Sequence, residues 1–221
     1  MKNIIFIAPP AAGKGTQSAL LEEKYNYIHL STGDLLRREI KKKTDLGTKI
    51  EEIISKGELV SDEIITELLK NELGNIKQKN FILDGYPRNI SQGEILSKLF
   101  KDLNIDNYVA IYLNLDEEIA KKRALGRVVC DNCGASYNTY FQNLKPKENG
   151  VCDKCKGTLS QRTDDNEETF TKRFKTFLNV TNPLLDYYKK ENRLYVVDAS
   201  QESDQIFINI TKILESESVD N

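Results

Sequence analysis

Ala8-Pro9-Pro10-Ala11-Ala12-Gly13-Lys14-Gly15-Thr16 follows a short apolar run at residues 4–7 and leads into Gln17-Ser18-Ala19-Leu20-Leu21-Glu22-Glu23, which has helical spacing. Strand, small-residue loop, Gly-Lys-x-Thr and helix is the layout of a phosphate-binding loop. Its backbone N–H groups and the positive end of the helix surround an anion, Lys14 adds a point charge, and Thr16 offers a hydroxyl near a metal. The match departs in two places: Ala8 stands where the first Gly of the usual pattern falls, and Thr16 follows Gly15 rather than Lys14 directly. Taken alone, the stretch also fits a tight strand-to-helix turn with a solvated Lys14.

Further along, β-branched or apolar runs recur at residues 27–30, 81–83, 108–115 and 194–197, separated by segments with helical spacing. This alternation predicts βα units around a parallel sheet. Helix starts are signalled by Ser31-x-x-Asp34, Ser61 before Asp62 and Glu63, Ser91-x-x-Glu94, and Asp116 before Glu117 and Glu118. A final helix is expected from near Ser203, with Ile206, Ile210, Ile213 and Leu214 as its apolar stripe. The third run ends in Asp84, followed by Gly85-Tyr86-Pro87-Arg88. A carboxylate at the carboxyl end of a parallel strand beside a phosphate loop can hold the water shell of Mg²⁺; a turn cap is the other reading.

The chain has 221 residues, about one and a half domains at ~150 residues each. Hydrophobic residues at 39% and charged residues at 30% describe a soluble globular protein. Thirty-two Lys and Arg against thirty-four Asp and Glu give a net charge of −2, which provides no polybasic surface for nucleic acid. The first apolar run, residues 4–10, is too short for a secretory or membrane-spanning segment, so a cytoplasmic protein is expected. The lone His29, among Tyr27, Ile28 and Leu30, reads as a packed residue.

Residues 128–161 break the pattern, with nine apolar side chains outside Cys in thirty-four residues. Such a segment cannot fold on hydrophobic burial alone and needs a staple. Cys130-Asp131-Asn132-Cys133 and Cys152-Asp153-Lys154-Cys155, eighteen residues apart, are two knuckles with the spacing of a structural tetrathiolate zinc site. Iron is another occupant, and two disulfides are the alternative. Four protein ligands leave no open position, so the metal would be structural. Such sites contribute ~10–16 kcal/mol in zinc-finger peptides.

In these residues the chain resembles adenylate kinases of the long, zinc-containing bacterial type. The likeness runs through residues 8–17, Leu30-Ser31-Thr32-Gly33-Asp34-Leu35-Leu36-Arg37, Gly57-Glu58-Leu59-Val60-Ser61-Asp62, Asp84-Gly85-Tyr86-Pro87-Arg88, Arg123 with Gly126-Arg127, and Gln161-Arg162-Thr163-Asp164-Asp165 ahead of Arg173. The resemblance implies an α/β fold of the P-loop nucleoside-monophosphate kinase kind, a parallel β-sheet flanked by helices. It further implies a core of residues 1–30, 61–126 and 163–221, an AMP-binding helical insert at 31–60 and a zinc-stapled lid at 127–162.

On that resemblance ATP lies on Gly13, Lys14, Gly15 and Thr16, with Arg123, Arg127 and Gln201. AMP lies against Thr32, Arg37, Leu59, Val60, Gly85, Arg88, Gln92, Arg162 and Arg173. The catalytic set is Lys14, Asp84, Arg88, Arg127, Arg162 and Arg173. Phosphoryl transfer needs such cations because the moving group spreads charge over several oxygens, which guanidinium forks, Lys14 and Mg²⁺ neutralise without a covalent intermediate. Structural Zn²⁺ and Mg²⁺ with ATP are the implied cofactors, and ATP, AMP and ADP the partners of a monomer with no nucleic-acid or membrane partner. Thr32 favours AMP, since related pyrimidine kinases carry a smaller residue there.

The family usually has Gly where this chain has Ala8 and Ala11. A methyl there disfavours φ > 0 and crowds a phosphate, so either the loop conformation tolerates Ala or phosphate affinity is altered. The competing functions are a UMP/CMP-type kinase, a zinc-ribbon nucleic-acid-binding protein and a nucleotide-binding regulator without turnover.

Overall fold

Successive residues along a strand face opposite ways, so a strand that is apolar at every position must be covered on both sides. The inner strands come close to that condition, whereas the run at residues 194–197, at one edge, leaves Val196 exposed. A computed structural model describes residues 1–55, 60–76, 80–161 and 165–216, apart from the side chains of Asp34, Ile54 and Ser55. In chain order the elements are β1 (Asn3–Ile7), α1 (Lys14–Tyr25), β2 (Ile28–Ser31), α2 (Thr32–Lys41), α3 (Asp45–Ser55), α4 (Asp62–Asn75), β3 (Phe81–Asp84), α5 (Ile90–Asp102), β4 (Tyr108–Asn114), α6 (Glu117–Leu125), β5 (Arg127–Cys130), β6 (Ser136–Asn138), β7 (Leu159–Ser160), α7 (Glu167–Thr176), α8 (Pro183–Lys190), β8 (Leu194–Asp198) and α9 (Ser203–Glu215). A π-helical turn, Phe177–Thr181, joins α7 to α8.

The expected parallel sheet is present, with strand order β2-β3-β1-β4-β8. Ile4, Phe6, Ile82, Val109, Ile111 and Leu113 face one layer, where α1, α6, α7 and α9 contribute Leu21, Ala120, Phe170 and Ile210. Ile5, Ile7, Leu30, Leu83 and Ala110 face the other, against Leu69 of α4, Leu96 of α5 and Leu184 of α8. Because all five strands run the same way, their carboxyl ends lie along one edge of the sheet. Phe6 and Ser31 both pair with Asp84, so the start of the phosphate loop, the start of α2 and the end of β3 converge there.

Of the expected helix starts, Asp116 makes its capping hydrogen bond, whereas the Ser61 side chain makes none. Asp116 caps α6 by accepting the Glu118 N–H at 2.9 Å. Ser61 occupies the position before α4, and α2 begins directly after Ser31. Ser91, expected to start α5, lies one residue inside it. Asn89 is the cap, because its short side-chain carbonyl reaches the Gln92 N–H at 2.8 Å. The last helix covers 203–215 with Ile206, Ile210 and Leu214 buried, as expected.

The polar segment forms its own antiparallel sheet, order β6-β5-β7. It rises from the end of α6 and returns to α7. No helix among the described residues is long and apolar enough to cross a membrane.

Candidate active site and metal centre

α1 begins at Lys14, so Gly13 and the first turn of α1 present backbone N–H groups at the end of the loop. Ala11 and Gly13 both hold left-handed backbones, at φ 61° and 94°. Turns of this kind gather successive N–H groups into an anion-binding concavity. Ala8 has no positive φ, so the cost anticipated for the two alanines falls on Ala11, where it is about 1–2 kcal/mol. The Ala8 and Ala11 side chains pack on the apolar cluster of one sheet face, which offsets part of that cost.

Lys14 Nζ stands 3.8 Å from Asp84 Oδ1. Burial lowers the pKa of Lys14, Asp84 opposes this, and the charges of Arg88, Arg173 and Arg127 lower it further. Burial pushes the Asp84 carboxyl upward, but Lys14, His29 and Arg88 outweigh it, so Asp84 ends below its ordinary value. Arg88 is lowered by burial and then by Arg173. Lys14, His29 and Arg88, from three places in the chain, therefore act on the Asp84 carboxylate.

The loop after Asp84 is built closely. Thr32 Oγ1 donates to the Gly85 carbonyl at 3.3 Å and Arg88 Nε donates to the same oxygen at 2.8 Å. Gly85 has φ 85°, and an added Cβ would lie 2.8 Å from Thr32 Oγ1, so only glycine fits. Gln92 is buried; its Oε1 accepts the Arg88 N–H at 2.6 Å, and its Nε2 donates to Asp62 Oδ1 at 2.6 Å. Gln92 thus holds the Arg88 loop to α4. Val60 is buried, and the Arg37 guanidinium folds back over Gly33. Leu59 and Arg162 lie outside the described residues.

On the far side, Arg123 Nη1 donates to the Ala199 carbonyl at 2.7 Å, and its guanidinium lies 5.8 Å from the Phe141 ring centre. Gln201, two residues beyond Ala199, turns its amide to Asp198 and accepts from Asn209. Arg127 makes a two-pronged ion pair with the buried Asp165, with Nε 2.8 Å from Oδ2. Gln161 ties the two ends of the polar segment, donating to the Leu125 and Asp165 carbonyls at 3.0 and 3.1 Å. Gly15 and Thr16 lie in the first turn of α1, and Arg173 near the end of α7.

One neighbour of the site has no local signal. His29 Nε2 lies 3.4 Å from Asp84 Oδ2. Only the pairing of β2 with β3 carries that information, because the two residues are far apart in sequence.

The four cysteines converge, as the spacing predicts. Their sulfurs all lie within 4.8 Å of one another, with Cys130–Cys155 at 3.4 Å and Cys133–Cys152 at 3.6 Å. Four sulfurs ~2.3 Å from a tetrahedral zinc stand roughly 3.8 Å apart, so this donor set fits the metal. None of the cysteines is in a disulfide.

A parallel sheet with a phosphate loop, a strand-end carboxylate and a ring of cations along its carboxyl edge defines a P-loop nucleotide phosphotransferase. The family model described as adenylate kinase matches residues 6–193. The adenylate kinase of Clostridium tetani (strain Massachusetts / E88) is 42% identical over 213 residues, 96% of this chain and 98% of its own length. Those of Clostridioides difficile (strain 630) and Archaeoglobus fulgidus are each 44% identical over 214 residues, 96% of this chain and 98% of theirs. The chain belongs to the adenylate kinase family, and it is a nucleoside monophosphate kinase.

Proposed function

We propose that the chain transfers the terminal phosphoryl group of ATP to AMP, reversibly, by positioning and electrostatic neutralisation. The observation that carries this reading is the placement of Lys14 at the start of α1, after the phosphate loop and 3.8 Å from the strand-end carboxylate of Asp84. Lys14, Arg88, Arg127 and Arg173 supply positive charge that an oligophosphate complements, so substrate charge favours the assembled site. ATP occupies the loop at Gly13, Lys14, Gly15 and Thr16, with Arg123 and Gln201 on its adenosine side. AMP occupies the Thr32, Arg37, Leu59, Val60, Gly85 and Gln92 side. Arg88, Arg127, Arg162 and Arg173 span the phosphates between them. The attacking AMP phosphate is already anionic, so no general base is required, and the task is to align two mutually repelling anions.

Asp84 and the Thr16 hydroxyl are oxygen donors suited to Mg²⁺ and its water shell. When bound, the ion neutralises charge on the transferring phosphates. The ordinary ionisation of Asp84 is favoured by Lys14 and His29, which keeps it ready for that role.

The insert is residues 31–60, a reading supported by α2 leaving the end of β2 and packing on α3. The lid is residues 127–162, supported by its separate antiparallel sheet. Zinc on Cys130, Cys133, Cys152 and Cys155 holds the lid's fold. Thiols kept for a metal suit the reducing cytoplasm. One chain is taken as the working unit.

The direct test offers MgATP with AMP, UMP, CMP and GMP in turn and measures ADP. Fastest turnover with AMP is expected. No ADP from AMP sinks the reading, and faster turnover with UMP or CMP moves it to a pyrimidine kinase.

A further inference from the structure

Tyr137 is the middle residue of β6, paired with Val128 of β5, and phosphoryl transfer makes no use of it. Its hydroxyl oxygen accepts the Asp153 backbone N–H at 2.9 Å. With that lone pair engaged, the phenolic proton is left to donate, and Cys152 Sγ lies 3.5 Å away. Cys152 is fully buried, so solvent does not serve its sulfur. Backbone N–H groups of Lys154 and Cys155 face Cys152 and favour its thiolate, after the larger contribution of Tyr137. Gly157 packs close to the first knuckle, where an added Cβ would stand 3.0 Å from Cys130 Sγ.

We propose that Tyr137 is a positioning residue for the metal centre, a side-chain donor that fixes the Cys152 thiolate and joins the second knuckle to β6. This rests on the reading of the four cysteines as a zinc site. Four thiolates around Zn²⁺ leave an excess of two negative charges in a small polar segment. Each donated hydrogen bond spreads that charge and restricts the sulfur to its ligating position. The backbone donors come from the knuckle itself, whereas Tyr137 comes from the sheet. Its hydroxyl therefore links metal binding to the folding of β5 and β6.

The test compares the wild-type chain with Tyr137→Phe, which keeps the ring and deletes the hydroxyl. Wild type should bind about one zinc per chain, and its cobalt derivative should have strong thiolate charge-transfer absorption. A wild type that binds neither metal overturns the zinc reading and the role of Tyr137 with it. In Tyr137→Phe, competition with a chelator should show zinc held roughly 10–100-fold more weakly. The cobalt charge-transfer band should move to lower energy, because a sulfur that loses a donor gives up its electron more readily. Tyr140→Phe, which alters an exposed ring in the same segment, should match wild type in both measurements. Unchanged affinity and band position in Tyr137→Phe would overturn the proposal. Weaker zinc binding with an unmoved band would also overturn it, since that result describes packing and not a hydrogen bond to sulfur.

Discussion

Ala11 holds a left-handed backbone beside Gly13, and the two positions differ in what surrounds them. The Ala11 methyl packs on the sheet's apolar cluster, whereas nothing lies within 4 Å of a Cβ added at Gly13. Gly13→Ala therefore brings left-handed strain with no compensating contact, about 1–2 kcal/mol. For a chain of this size that lowers Tm by roughly 2–8 °C. Ala11→Gly removes a similar strain, but it gives up ~0.8 kcal/mol of methyl burial and adds backbone freedom to the unfolded chain worth about 0.4–1 kcal/mol. Its Tm should stay within about 4 °C of wild type. Thermal melting of the two variants side by side checks the argument. A large gain in Ala11→Gly would mean that the methyl contributes nothing to holding the loop.

At the scale of elements, the parallel strands were legible because each is a short apolar run between segments of helical period, and both faces of the sheet are covered. The phosphate loop and the cysteine pairs were legible because their chemistry is local: a few residues at fixed spacing carry it. Asn89 in place of Ser91 shows the limit of local signals, since two neighbouring polar residues could each begin α5 and only backbone geometry chooses. His29 beside Asp84 and Tyr137 on Cys152 depend on strand register or on chain reversal, and no local pattern encodes them, whereas an Arg127–Asp165 ion pair is suggested by the charges that flank the polar segment. The polar segment 128–161 was legible by what it lacks. Its small antiparallel sheet has too little apolar area to fold unaided, whereas the main sheet has two apolar layers of its own. Replacing both Cys130 and Cys133 by Ser should therefore remove the bound metal and lower the melting temperature of the lid-containing transition, while activity at room temperature falls only in part. Calorimetry with metal analysis reads both. An unchanged melting profile in a variant without metal would remove the stabilising role of zinc.

For the molecule as a whole, a net charge of −2 conceals a strong local imbalance. Lys14, Arg88, Arg127 and Arg173 face one cleft, with Asp84 among them and Asp165 on Arg127. The pKa of Lys14 and of Arg88 is depressed chiefly by burial, and for both a neighbouring Arg173 lowers it further. On the proposed site, a dinucleoside oligophosphate carrying an adenosine at each end is expected to meet all four charges at once and to bind only the folded chain. At a hundredfold excess over its Kd it should add about 2.7 kcal/mol of stability, or a Tm rise of roughly 5–10 °C. Lys14→Met keeps a long apolar stem, removes one buried charge and breaks the contact with Asp84. The unliganded Met variant should thus melt within a few degrees of wild type, because a lost attraction and a lost desolvation cost oppose each other. Turnover should be abolished and most of the oligophosphate-induced rise should disappear. If that variant turned over ATP and AMP at the wild-type rate, the phosphate loop would not be the site of transfer. If instead turnover vanished while the full thermal shift remained, Lys14 would act on the moving phosphoryl group alone, and the arginines would hold the ground-state phosphates.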